Sequence, residues 1–286
     1  MPKMVFAAKI NAQAALRARL TLSAALLAFT LPALPAHAAA NLTPHRAVYD
    51  LSLKEASERS GIESMLGRMV YEFGGTACDG YTVSFRFVTE IDTGESVRIT
   101  DQQTSSYEDI RRHTFDFVTK SYVNRGLDYE VKGTARLGDD AISVEIEKPE
   151  EQSLALPQAL FPTEHLIELI NKARAGETFY ESRIFDGSDK ADEALITNTV
   201  LGEKRKADAA DPEIAGIETL ALRDYWPVAI SYFSDTPTGD GVPVYSIQFK
   251  LYADGITRDL MMDYGEFALV GKLSALEVLA SEPCDD

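Results

Sequence analysis

The sequence predicts a mainly β protein: one large, curved antiparallel sheet of about fourteen strands with a single amphipathic α-helix packed on it. Three observations lead there. Apolar and polar residues alternate with period two through most of the chain, as in Ile142, Val144 and Ile146 set against Ser143, Glu145 and Glu147. Glycine- and asparagine-rich turn signals separate these runs at short intervals with no helical pattern between them, which argues an antiparallel meander rather than βαβ units. Only one segment changes to helical spacing.

The chain opens on a leader. Lys3, Lys9, Arg17 and Arg19 precede the apolar run Leu20 to Leu31, followed by Pro32, Pro35 and the small-residue pattern Ala36-His37-Ala38. This is the layout of a secretory signal peptide, residues 1–38, leaving residues 39–286 as the mature chain, a single β domain. The run is shorter than the roughly 20 residues a spanning helix needs, so no transmembrane segment is expected in the mature protein. A retained N-terminal anchor is the competing reading.

Tyr49, Leu51 and Leu53 against Asp50, Ser52 and Lys54 make the first strand half-buried. Met65, Met69, Tyr71 and Phe73 share one face of the second, and Cys78-Asp79-Gly80 turns the chain into a third carrying Tyr81, Val83, Phe85 and Phe87. Further strands are expected over Val97 to Tyr107, Arg112 to Val123, Leu127 to Leu137 and Ala141 to Lys148, seven in all before the rhythm breaks.

The break is Pro157 and Phe161-Pro162-Thr163, after which Leu166, Ile167, Leu169, Ile170 and Ala173 recur at helical spacing. The spacing predicts a helix over Glu164 to Ala175 with Thr163 as N-cap, Glu168 and Lys172 paired one turn apart, and Gly176 as its stop. Such a helix covers an open sheet face, or acts as a lid over a concavity.

Strands resume at Thr178 to Phe185 and Ala194 to Leu201. Gly202 to Pro212 is charged and proline-capped and reads as an exposed loop, with Ile214 to Leu222 returning as strand. The stretch Asp224 to Phe233 holds the only tryptophan, and Trp226, Val228, Ile230 and Tyr232 fall on one face of a strand. Pro227 lacks an N–H, which places this strand at an edge, at its own start or at a bulge. After a turn at Thr236 to Gly241 come Tyr245 to Leu251, the Asp254-Gly255 hairpin signal, Ile256 to Met262 and Phe267 to Leu279.

The formal net charge is −17, and four of the lysines and arginines but none of the acids lie in the leader, so the mature chain is more acidic still. Nucleic acid and anionic lipid surfaces are poor partners for such a chain, because binding them depends on neutralisation by Lys and Arg. Two cysteines, Cys78 and Cys284, in an exported chain point to one disulfide rather than a metal site. Two free thiols are the alternative.

No motif for catalysis stands out. His45, His113 and His165 show no metal-ligand spacing, and Asp186, Asp189 and Asp192 around Gly187 lack the alternation of a calcium loop. No catalytic residue, metal ligand or cofactor is therefore assigned, and an enzyme is disfavoured. What remains is aromatic and apolar surface, above all Trp226, Val228, Ile230, Tyr232, Phe85 and Phe87, which forms either a core face or a concave pocket for a hydrophobic ligand.

The opening His45-Arg46-Ala47-Val48-Tyr49-Asp50-Leu51, the Cys78-Asp79-Gly80-Tyr81 turn, Leu160 to His165, Trp226-Pro227-Val228 with Ser231-Tyr232-Phe233, and terminal Cys284 together resemble the cell envelope integrity protein EipB family of alphaproteobacteria. The resemblance runs through the whole mature chain. It implies a periplasmic protein folded as a spiralling β-sheet closed by one disulfide, with a shape similar to lipoprotein carriers of the LolA and LolB type. It further implies a role in maintaining the envelope under stress, with a periplasmic tetratricopeptide-repeat protein as partner. Cys78 and Cys284 are the functional positions that carry over. A carrier or chaperone binding a lipid, acyl chain or lipoprotein segment in the concave sheet is the alternative function.

Overall fold

Fifteen strands join one antiparallel sheet in the computed structural model, which describes residues 41–208, 210–215, 217–235, 241–280 and 284. The first eight are β1 (His45–Ala56), β2 (Ser64–Thr76), β3 (Gly80–Asp92), β4 (Val97–Asp109), β5 (Thr114–Val123), β6 (Gly126–Leu137), β7 (Ala141–Lys148) and β8 (Gln152–Pro157). After the helix α1 (Pro162–Ala175) come β9 (Phe179–Ile184), β10 (Leu195–Leu201), β11 (Arg205–Lys206), β12 (Asp224–Ser234), β13 (Tyr245–Tyr252), β14 (Thr257–Asp263) and β15 (Phe267–Val278). The expected leader, residues 1–38, lies outside the described residues, as does most of the expected turn at 236–241.

The order is β8-β7-β6-β5-β4-β3-β2-β1-β15-β14-β13-β12-β10-β9, with β11 pairing β12. Two meanders are thus joined where the last strand returns beside the first: Tyr49 of β1 faces Met69 of β2 on one side and Leu273 of β15 on the other. The sheet is open, with β8 and β9 at its ends. Those ends approach at one point, where Leu160 donates its N–H to the Arg183 carbonyl and accepts from the Phe185 N–H, at 2.8 and 2.9 Å.

Local chemistry explains most boundaries. Asn124 and Arg125 both take positive φ, 49° and 71°, and turn β5 into β6. Gly255, at φ 88°, does the same in the hairpin between β13 and β14. Strand β8 was not expected, because Pro149 and the acidic pair after it mask a short run that nonetheless pairs with β7 from Ile146 to Ala141.

Two expectations in the second half need correction. The Trp226 strand is interior, between β10 and β13, and Pro227 sits one residue past the end of the β10 ladder at Val228, where its carbonyl accepts from the Gly202 N–H at 2.8 Å. The segment expected as strand from Ile214 is a set of turns with a 3-10 helix at Glu218–Leu220. Ile214, Ile217 and Leu220 are buried at a spacing of three, the period of a 3-10 turn rather than of a strand.

The preceding loop is exposed only in part. From Ala207 onward it folds onto the sheet, and Asp211 and Glu213 accept from Nη1 of the fully buried Arg258 at 2.7 and 2.9 Å. Glu213 also accepts from the Asp259 and Leu273 N–H groups, at 3.0 and 2.7 Å. A charged loop is thereby held over the apolar cluster of Tyr49, Met69, Leu260 and Met262.

Candidate functional site

Helix α1 and the inner sheet face build the site. The helix starts two residues earlier than its spacing suggests, with Phe161 as N-cap and Pro162 in the first turn. Phe161 is fully buried against Phe115, ring centroids 5.4 Å apart, which fixes where the helix begins. The cap is not Thr163. Instead the carboxylate of Glu108, on β4, accepts the N–H groups of Thr163 and Glu164 at 2.7 and 2.9 Å. A negative group at a helix N-terminus meets unpaired donors and the positive end of the dipole.

Glu108 is only 2% exposed, and burial pushes its carboxyl up to about 7 against the two amide bonds that favour the charged form. Beside it, the Glu164 carboxylate accepts from its own cap, Phe161 N–H, at 3.3 Å and pairs with His113 Nδ1 at 2.6 Å. At the far end Gly176, at φ 77°, terminates the helix as expected. Lys172 pairs with Glu177 at 3.1 Å and not with Glu168.

Under the helix lies a cavity of about 310 Å³. Its walls are Tyr49 of β1, Met69 and Tyr71 of β2, Phe85 of β3, Ile230 and Tyr232 of β12, Ile247 and Phe249 of β13 and Leu260 of β14. Pro162, His165, Leu166 and Leu169 of α1 form its cover. The surface is apolar with a few polar atoms, the composition of a small-molecule site.

Those polar atoms are distinctive. The Tyr49 hydroxyl donates to the Thr257 carbonyl at 2.8 Å, and His165 Nε2 lies 3.3 Å from Thr197 Oγ1. Burial lowers His165 to about 4, so its ring is neutral near neutral pH. Tyr71 and Tyr232 line the same space, their hydroxyls make no hydrogen bond to any described residue, and burial raises both above the ordinary tyrosine range.

From Tyr232 a row of rings continues outward along neighbouring strands. Tyr232 meets Tyr245 at 5.5 Å, Tyr245 meets Tyr264 at 4.9 Å, and Tyr264 stacks on Phe267 at 4.9 Å. Tyr245, Phe267, Phe85 and Phe87 are half-buried rather than sealed, so this part of the inner face stays in contact with open space.

The sequence-derived residues divide between two places. Tyr232, Ile230 and Phe85 line the cavity. Phe87 stacks beside Phe85 at 6.1 Å but is not part of the wall. Val228 is buried in the apolar cluster that includes Leu169 and Ile170 of α1. Trp226 belongs to that cluster too, with Lys204 4.9 Å over its ring and a separate outer groove beside the C-terminal end of α1. Cys78 and Cys284 are joined, with Cα atoms 5.8 Å apart, linking the β2–β3 turn to the tail after β15.

A family profile described as EipB-like matches residues 36–280. The chain belongs to the EipB-like family. It is 47% identical over 244 residues to the cell envelope integrity protein EipB of Brucella abortus (strain 2308), covering 85% of this chain and 86% of that protein. It is also similar to the crystal structure of a β-barrel-like protein of a domain of unknown function from Brucella abortus. That likeness has a TM-score of 0.82 and 47% identity over 85% of this chain and the whole of the other.

In this EipB-like chain, spacing alone did not reveal Glu108 or Arg258; the helical stripe supplied Leu166 and Leu169 of the cover but not His165. A buried acid at a strand end reads like any turn acid, and only the fold brings it to a helix start 55 residues away. Asp186 caps its own turn through Ser188 N–H at 2.9 Å, and among the described residues no three His, Cys, Asp or Glu side chains converge to hold a metal. Nor is any described helix long and apolar enough to cross a membrane.

Proposed function

We propose that the protein is a non-enzymatic periplasmic binding protein that supports cell envelope integrity under stress, with the concave face beneath α1 taking an acyl chain or apolar lipoprotein segment. Residues 1–38 are its cleaved export signal and residues 39–286 its single working domain. The observation that carries the binding element is the apolar cavity of about 310 Å³ between α1 and seven strands of the sheet. The envelope role rests on the 47% identity to a protein named for envelope integrity.

Native mass spectrometry of the protein taken from the periplasm tests this reading. A bound acyl compound, lost together with complementation of an envelope-defective strain when the cavity is filled by a larger side chain, is the expected result. A protein that stays empty and complements fully with its cavity filled overturns it.

A second reading, action through a protein partner such as a tetratricopeptide-repeat protein, is favoured by one surface feature. Phe179 and Val200 are cross-strand neighbours on the outer face and are 60% and 52% exposed. An exposed apolar pair of this kind is suited to a partner contact. Replacing both with serine should abolish complementation while leaving the fold intact, and full complementation removes the role.

A further inference from the structure

The inner cavity also specifies the chemistry of its occupant. Resting on the binding reading above, we propose that it selects an apolar chain carrying a neutral carbonyl, an ester or an amide, over a free carboxylate or a phosphate. The reason is a juxtaposition: Tyr71 and Tyr232, whose hydroxyls have no hydrogen-bond partner among the described residues, line a space whose described lining holds no cationic side chain.

Each half of that statement has its own physical basis. A ligand that fills the space displaces water from these half-buried tyrosine hydroxyls, and it must supply an acceptor in exchange or leave them unpaired. A saturated hydrocarbon offers none. A carbonyl oxygen does, at the cost of little desolvation, and each tyrosine supplies one O–H donor.

The charges facing the space exclude an anion. Among the described lining residues His165 carries the only titratable nitrogen, and its ring is neutral. The charged groups acting on the wall tyrosines are acids: Glu108 on Tyr71, Asp186 on Tyr232 and Glu213 on Tyr49. Arg258, a buried cation of the inner face, does not line the space, and its charge is met by Asp211 and Glu213 through Nη1 while Nε donates to the Tyr252 hydroxyl; its Nη2 is left without a partner among the described residues. A carboxylate or phosphate entering here leaves water without a counter-charge, which is far costlier than burying a neutral carbonyl.

The test is displacement of a neutral apolar fluorophore, N-phenylnaphthylamine, from the intact mature protein at about pH 8, where fatty acids are ionised. Glycerol monolaurate and lauroyl-glycinamide should each displace it at roughly tenfold lower concentration than laurate, the scale of one unpaired buried group. In the Tyr71→Phe/Tyr232→Phe variant that ratio should fall toward one, because phenyl rings keep the shape and lose the donors.

Whichever neutral compound is tighter identifies the source, a lipid ester or an acylated peptide. Equal potency of laurate, or a preference that survives in the double variant, overturns the selectivity while the binding site stands. A protein that never takes up the fluorophore overturns both.

Discussion

Glu108 concentrates several effects in one side chain. It replaces the expected threonine cap of α1, it is buried, and its carboxyl is raised from 4.5 to about 7. A raised carboxyl means that the folded state holds its proton more tightly than the unfolded chain, so this group stabilises below about 4.5 and that contribution is lost as pH rises through about 7. The loss amounts to about 3 kcal/mol at most. Urea unfolding of the wild-type and Glu108→Gln proteins across this range should show a decline in the first that is flattened in the second. Parallel pH profiles would contradict the assignment. At Arg258 the sign is simpler: Arg258→Met leaves the buried Glu213 without its cation and Asp211 with only Lys250 at 3.4 Å, at a cost of roughly 3–5 kcal/mol. Adding Asp211→Asn and Glu213→Gln should recover most of it in the same unfolding assay.

Among the elements, α1 joins sheet packing to the cavity. Ile170, fully buried, and Leu169 set its apolar face against the Val228 and Ile230 strand. Ile170→Ala should cost about 2–5 kcal/mol of unfolding free energy, measured by denaturant titration. This helix and thirteen of the strands follow rules that act within a few residues, which is why alternation and turn chemistry expose them; the two-residue β11 lay inside the expected loop. Strand β8 escaped because its prolines speak against a ladder that its neighbour supplies. The Ile214 segment escaped because three apolar residues spaced by three fit neither period used to look for them. The site was half legible: one-sided patterning found Phe85, Ile230 and Tyr232 as an apolar face. Whether that face was filled or hollow depends on how far α1 stands from the sheet, and no local pattern carries that distance.

For the whole molecule, the topology makes its two cysteines a fastening for the seam where the last strand lies beside the first. Their separation of 206 residues puts the chain-entropy contribution at roughly 5 kcal/mol as an upper bound. Cys78→Ser should lower the melting temperature under oxidising conditions and match the wild type once reductant is added, read by circular dichroism. An open sheet whose ends meet only near Leu160 leaves its inner face hollow beneath one helix, and that hollow is the centre of the account. Its most direct test is uptake of a neutral apolar fluorophore by the wild type and by Ile247→Trp, which places an indole in the open space beside Phe249. Saturable binding by the wild type, weakened roughly tenfold or more in a variant of unchanged circular dichroism, is the predicted result. Equal binding by both proteins, or none by either, would contradict it.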